Sequence, residues 1–225
     1  MRKKKCLLEN SVAWGVVPAL FLGLAASVPA QADGLYAGVS YGNSKMKDNG
    51  ACGAMRNVLN AGYSCTSSDN TDNAWKLVGG YVFMENLAFE LSYNNFGKTT
   101  TNASGTAKNT STSVTASSDF KAKGLSLAAV GTLPVTKQFG IIGRIGILRW
   151  NVESSASTSS GGSVSAKDTK PGFTFDNIGV GFQYGINETM DVRVEWERFK
   201  DVGDAHITGQ SDIDVLSLGL VYKFK

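Results

Sequence analysis

The sequence predicts an all-β fold: an eight-stranded antiparallel up-and-down transmembrane β-barrel. Three observations lead there. The stretch from Ile213 to Phe224 sorts into two rows at a spacing of two. Leu216, Leu218, Leu220, Tyr222 and Phe224 form one row; Val215, Ser217, Gly219, Val221 and Lys223 form the other. A strand sends these rows to opposite faces, one apolar and ending in aromatics, the other small or charged. Seven further segments repeat the pattern, and the connections alternate long and short. That rhythm is the layout of outer-membrane barrels, with short turns at one end and long connections at the other. A sheet with a lipid-facing side cannot leave an open edge in hydrocarbon, so the strands must close.

Composition agrees. A hydrophobic content of 42% is too low for a bundle of membrane helices but normal for a barrel with a polar inner face. Residues 1–32 read as a secretory signal peptide. Arg2, Lys3, Lys4 and Lys5 supply the basic start, Val12 to Ala26 the apolar core and Ala30-Gln31-Ala32 the small-x-small cleavage site. The run is short for a span and Pro18 interrupts it, which disfavours an uncleaved anchor. The expected mature chain, residues 33–225, starts at Asp33. Cleavage removes four of 22 basic residues and Glu9 of the 19 acidic ones, leaving 18 of each. The apparent basicity therefore belongs to the signal and gives no support for nucleic-acid binding.

The first strand, Gly34 to Gly42, alternates Leu35, Ala37, Val39 and Tyr41 with Tyr36, Gly38, Ser40 and Gly42. Asn43 to Asn73 reads as a long polar loop. It carries Cys52 and Cys65, which an exported chain is expected to pair, with two free thiols as the alternative. Such a link stabilises a small loop by about 3 kcal/mol. Strand two, Ala74 to Phe83, turns through Met84-Glu85-Asn86 into strand three, which sends Leu87, Phe89, Leu91 and Tyr93 outward and Glu90 inward. Lys98 to Ser118 is nearly all Thr, Ser, Asn, Gly and Ala and reads as a loop. Strand four runs from Phe120 to Gly131. Strand five follows a turn at Leu133-Pro134-Val135, with Ile141, Ile145 and Ile147 outward and Arg144 inward. Asn151 to Gly172 reads as another loop. Strand six puts Ile178, Val180, Phe182 and Tyr184 outward. After Asn187-Glu188-Thr189, strand seven sends Val192, Val194 and Trp196 outward and Arg193 and Glu195 inward. Phe199 to Asp212 is the last polar connection.

A soluble lipocalin-like barrel alternates in the same way. The faces separate the two. A lipocalin needs an apolar interior, whereas here the small face carries Glu90, Arg144, Arg193, Glu195 and Lys223 among glycines. The other face places Trp75, Tyr81, Tyr93, Trp196, Tyr222 and Phe224 near strand ends, where interface-seeking aromatics belong. A barrel this narrow is filled by side chains. Charges inside it must pair, so Glu90 and Glu195 are expected to serve Arg144 and Arg193 in a lumen charge network. Turn geometry suggests that Glu90 lies opposite Gly80, Arg144 opposite Ser126 and Arg193 opposite Gly181.

Motifs for catalysis and metal binding are sparse. His206 is the one histidine, without the neighbouring Cys, His or carboxylate cluster of a metal site. Asp204 is near it, but there is no Gly-x-Ser-x-Gly motif, phosphate loop or zinc spacing. No cofactor and no enzymatic activity are expected.

The chain resembles the N-terminal transmembrane domain of the outer-membrane protein A family. The likeness is carried by Arg193-Val194-Glu195-Trp196, Gly203-Asp204-Ala205-His206, Leu216-Ser217-Leu218-Gly219 and Tyr222-Lys223-Phe224, and by Gly79-Gly80-Tyr81 with Phe89-Glu90-Leu91. The resemblance implies an eight-stranded barrel in the outer membrane of a Gram-negative cell, with loops extracellular and termini periplasmic. Larger members continue into a peptidoglycan-binding domain. With the sequence ending at Lys225, the expectation is the small single-barrel form. The family's lumen holds an ion-pair gate of two acids, a lysine and an arginine; the matching positions are Glu90, Arg193, Gln183 and Val130, so one acid and the arginine are kept. The expected role is structural and surface-interacting, adhesin- or receptor-like, through four long external loops. The alternatives are a small-solute or ion-conducting pore and a lipid-modifying enzyme centred on His206. Expected partners are outer-membrane lipid and lipopolysaccharide, the barrel-assembly machinery through the C-terminal strand, and an extracellular protein or surface ligand.

Overall fold

A computed structural model describes residues 34–47, 64–69, 71–106, 113–159, 163–205 and 209–224. They form nine strands: β1 Leu35–Met46, β2 Ser64–Asp69, β3 Thr71–Met84, β4 Leu87–Thr106, β5 Ser113–Pro134, β6 Phe139–Ser159, β7 Ser163–Gly185, β8 Met190–Asp204 and β9 Gly209–Lys223. Eight of them close a ring of antiparallel neighbours, β1-β3-β4-β5-β6-β7-β8-β9 and back to β1. The short β2 stands outside this ring and pairs with the far end of β4. The signal segment, Cys52 and His206 lie outside the described residues, as does the side chain of Cys65.

The register fixes the shape. A path across the strands from Leu35 runs through Tyr81, Phe89, Ala129, Ile145, Ile178, Arg198 and Asp214, and returns to β1 at Lys45. The offset of ten residues between Leu35 and Lys45 is the shear of the barrel, and with eight strands it sets a tilt of about 40°. The closed ring leaves no strand edge within the band where outward side chains are apolar, as hydrocarbon requires.

Faces follow the alternation. Tyr36, Val78, Ala88, Glu90 and Val221 are buried in the lumen, while Val39, Leu77, Phe89, Ile145, Val180 and Leu218 are 40–64% exposed on the outside. The outward apolar rows cover about ten residues of each tilted strand, roughly the 25 Å band of an outer-membrane barrel. Tight turns close one end. Asn187 Oδ1 accepts the backbone N–H groups of Thr189 and Met190 at 2.9 and 2.8 Å, and Thr136 Oγ1 accepts that of Phe139 at 2.9 Å.

The other end differs from the sequence expectation. Lys98–Ser118 and Asn151–Gly172 are not loops but continuations of the β4–β5 and β6–β7 ladders, up to Thr106↔Ser113 and Ser159↔Ser163. Shorter extensions carry β1 to Met46, β8 to Asp204 and β9 back to Gly209. Composition argued that such polar stretches cannot build a core of their own, which is correct. They do not need one. A strand pair already zipped below extends at little further closure cost, and each added residue satisfies backbone donors and acceptors. Thr99, Thr101, Ala103, Val114 and Ala116 still turn a buried row inward.

Two register expectations are also corrected. Glu90 does face Gly80, but Arg144 lies opposite Val130 and Gly179, and Arg193 opposite Gln183. The turns are centred later in the chain than expected, at Lys137 and Glu188. The shifts are of four and two residues, and an even shift leaves every side chain on its own face.

Candidate functional site: the lumen

The barrel interior has three layers. At the turn end is an open cavity of about 390 Å³, lined by Tyr36, Glu85, Asp191, Arg193 and Lys223 among others. Lys223 Nζ meets Asp191 at 2.8 Å there, and Gln183 Nε2 donates to the other Asp191 oxygen at 2.7 Å.

The middle layer is ionic. Glu90 on β4 accepts from Tyr36 at 2.7 Å and from Arg193 Nη1 at 2.5 Å, and it is also bound by Arg144. Arg193 Nε donates to Gln183 at 2.9 Å, and its guanidinium lies 5.2 Å from the centre of the Tyr36 ring. Arg144 on β6 reaches over β7 to Glu197 on β8. Lys76 on β3 donates to Glu195 at 2.5 Å and to Glu197 at 2.9 Å. All six charged side chains are at least nine-tenths buried. Three cations, Lys76, Arg144 and Arg193, balance three carboxylates, Glu90, Glu195 and Glu197. Pairing and hydrogen bonding are what make buried charge tolerable.

The expected ion pairs are present and the network is larger than expected. Glu90 serves both arginines and Glu195 stands 3.7 Å from Arg144 and 4.0 Å from Arg193, but the closest partner of Glu195 is Lys76. Lys76 and Glu197 were missed. Both were accessible from alternation, because Lys76 shares a row with Ala74 and Val78, and Glu197 follows Glu195 by two. Neither is among the four family gate positions. Of those positions, Gln183 flanks Arg193 and Val130 is buried beside Arg144.

The third layer, at the hairpin end, is apolar. Met46, Phe96, Phe120, Leu148, Val152, Phe199 and Ile213 fill it, none more than 1% exposed. Phe96 and Phe199 meet edge-to-face at 4.7 Å. The space between this plug and the ionic layer, lined by Lys76, Glu197, Phe96 and Phe199, is about 10 Å³. That is at the lower limit of what holds one water. The plug is not evident in the sequence because its residues are scattered over the inward rows of separate strands, with Met46, Val152 and Phe199 in stretches that read as loops.

The remaining candidates are on the outside. Trp75 and Tyr93 meet at 5.4 Å, tilted by 41°, at the upper end of the apolar rows, on the same face as Trp196. Tyr222 and Phe224 meet at 5.2 Å at the lower end, where Tyr81 also faces outward. Among the described residues, no group of three or more His, Cys, Asp or Glu could hold a metal ion.

The family model for the OmpA-like transmembrane domain matches residues 30–225. Outer membrane protein A of Serratia marcescens is 28% identical over 219 residues, covering 96% of this chain and 56% of that protein. Outer membrane protein A of Salmonella typhi is 26% identical over 147 residues, covering 65% and 38%. The chain thus spans about half or less of the length of these relatives. Among solved structures, Ail of Yersinia pestis, crystallised with the heparin analogue sucrose octasulfate, is 15% identical, with 85% of this chain and 99% of that chain covered and a TM-score of 0.45. The match across nearly the whole barrel, on a closed ring with apolar outer rows, makes this chain a member of the OmpA-like transmembrane-domain family, integral to the outer membrane.

Proposed function

We propose that this protein is a sealed outer-membrane barrel that holds polar hairpins outside the cell as an interaction surface. The apolar plug carries this reading. A conducting path has to pass Phe96, Phe120, Phe199 and Leu148 after crossing a neutralised ionic layer, and both obstacles are fully packed. Hydrophobic constrictions stop ions by excluding water. What remains for function is the surface formed by the β4–β5 and β6–β7 hairpins, which project beyond the apolar band and are rich in hydroxyl groups. Strands of 20–23 residues are about twice what a crossing needs. In this orientation the turns and both termini are periplasmic, and the role is adhesin- or receptor-like rather than enzymatic.

The test has two arms. Purified protein in a planar bilayer is expected to give no steady conductance; regular channel events would establish the pore instead. On intact cells, protease is expected to cut only at the hairpin end, and replacing the hairpin tips with short turns is expected to abolish adhesion to host surfaces while the barrel still folds. Adhesion that survives removal of every hairpin tip would remove the surface role.

A further inference from the structure

Where the outward apolar rows stop at the hairpin end, three neighbouring strands turn basic. On β5 the row continues from Leu125 to Lys123 and Lys121; on β6, from Ile147 to Arg149; on β4, past Tyr93 and Asn95 to Lys98. Lys98 reaches this face through a β-bulge. Ala88, Glu90, Ser92, Asn94 and Phe96 are inward, so even spacing would send Lys98 inward too. An extra residue between Asn95 and Lys98 reverses the parity, with Gly97 at φ +76° and its N–H on Asn95 Oδ1 at 3.0 Å. The result sets Lys98 directly across from Lys121. Like charges in that position are destabilising unless something anionic joins them.

Local acids neutralise only part of the patch. Asp119 takes Lys98 at 3.2 Å and Glu153 takes Lys123 at 3.6 Å, while Asp72 is engaged by the backbone N–H of Lys98 at 2.7 Å. Lys121 and Arg149 are exposed and form no ion pair within 4 Å among the described residues; Glu153 stands opposite Lys121 in the register but turns to Lys123. Asn95, Lys98, Lys121, Lys123 and Glu153 line a groove of about 370 Å³. The Trp75 and Tyr93 rings meet beneath it, which marks the level of the head groups. The turn end has no counterpart. Its connecting residues offer one cation, Lys137, against Glu85 and Glu188.

We propose that this groove, together with the exposed Arg149 beside it opposite Leu125, is a binding site for the lipid A phosphates of lipopolysaccharide, with Lys121 and Arg149 as the two cations that form no ion pair and Lys98 and Lys123 as the flanking ones. A phosphate between Lys98 and Lys121 relieves their repulsion, and the guanidinium of Arg149 can take phosphate oxygens in a bidentate manner. The lipid's acyl chains then lie along Leu125, Leu127 and Ile145, which are already lipid-facing. The location rests on the proposed orientation, with hairpins outward; the binding chemistry does not.

The experiment measures binding of the folded protein in micelles to bis-phosphorylated lipid A and to the same lipid with both phosphates removed, by native mass spectrometry. The expected result is at least a tenfold preference for the phosphorylated form, lost in Lys121→Gln/Arg149→Gln and kept in Lys137→Gln at the opposite end. Retention of the preference in the double variant, with its far-ultraviolet spectrum unchanged, overturns the site. So does binding of soluble heparin through Lys121 and Arg149 without any preference for phosphorylated lipid A. Labelling of Ser157→Cys and Lys137→Cys on intact cells with a membrane-impermeant maleimide is read separately. Label on Lys137→Cys alone defeats the orientation and leaves the micelle result to judge the groove.

Discussion

Arg144 and Glu197 bind each other although their strands are not neighbours: β7 runs between β6 and β8, and the pair passes over Gly179. A Cβ at Gly179 would lie 2.8 Å from Arg144 Cγ and 3.0 Å from Glu197 Cγ. The glycine is there for clearance, not for backbone freedom. Gly143, one position from Arg144 on the outer face, has nothing within 4 Å of the same added atom. Gly179→Val is therefore expected to lower unfolding stability in urea by about 1–3 kcal/mol through overpacking. Gly143→Val, which adds a lipid-facing methyl pair, is expected to be neutral. Equal effects at the two sites would mean that the crossing above Gly179 does not constrain the barrel.

Charge balance gives a second prediction. Lys76 is shared by Glu195 and Glu197, so Lys76→Met leaves two buried carboxylates with one nearby cation fewer. Breaking a buried pair from one side costs about 3–5 kcal/mol. Lys76→Met/Glu197→Gln restores neutrality and is expected to recover much of that loss, giving a coupling of more than 1 kcal/mol in a double-mutant cycle. Additive single effects would show that the six charges do not act as one network.

How much of this was readable in advance depends on which rule a residue obeys. Period-two alternation placed Glu90, Arg144, Arg193 and Glu195 inside and Trp75, Tyr93 and Tyr222 outside, and it survived wrong registers at Arg144 and Arg193 because the errors were even. The close partner of Glu195, Lys76, and the part played by Glu197 were not readable. They depend on how β3, β6 and β8 face one another across the ring, and therefore on the ten-residue shear, which no single hairpin reveals. Lys98 escaped for a different reason: a bulge reverses parity locally, and only Gly97 hinted at it. The apolar plug was hidden because Phe96, Phe120 and Phe199 are isolated aromatics in or beside polar stretches, and only closure brings them together.

Export and oxidation give a third prediction, on residues outside the described part of the structure. The mature protein recovered from outer membranes is expected to begin at Asp33. If Cys52 and Cys65 are joined, its mass is about 2 Da below that of the reduced chain, and alkylation occurs only after reduction. An intact N-terminal segment, or two thiols that alkylate at once, would refute the respective half.

The plug separates stability from permeation. Phe199→Ala removes a fully buried ring and its edge-to-face partner Phe96, and is expected to lose about 3–5 kcal/mol of stability. Conductance is nonetheless expected to stay at zero, since the ionic layer below remains fully paired and the other plug residues still close the path. Phe199→Ala combined with Lys76→Met weakens both obstacles at once and is the variant expected to leak, if any does. A single plug variant that conducts would place the whole barrier in the apolar layer. A double variant that stays silent, while its heat-modifiable mobility shows a closed barrel, would mean that side-chain filling alone seals the lumen, with no contribution from charge pairing.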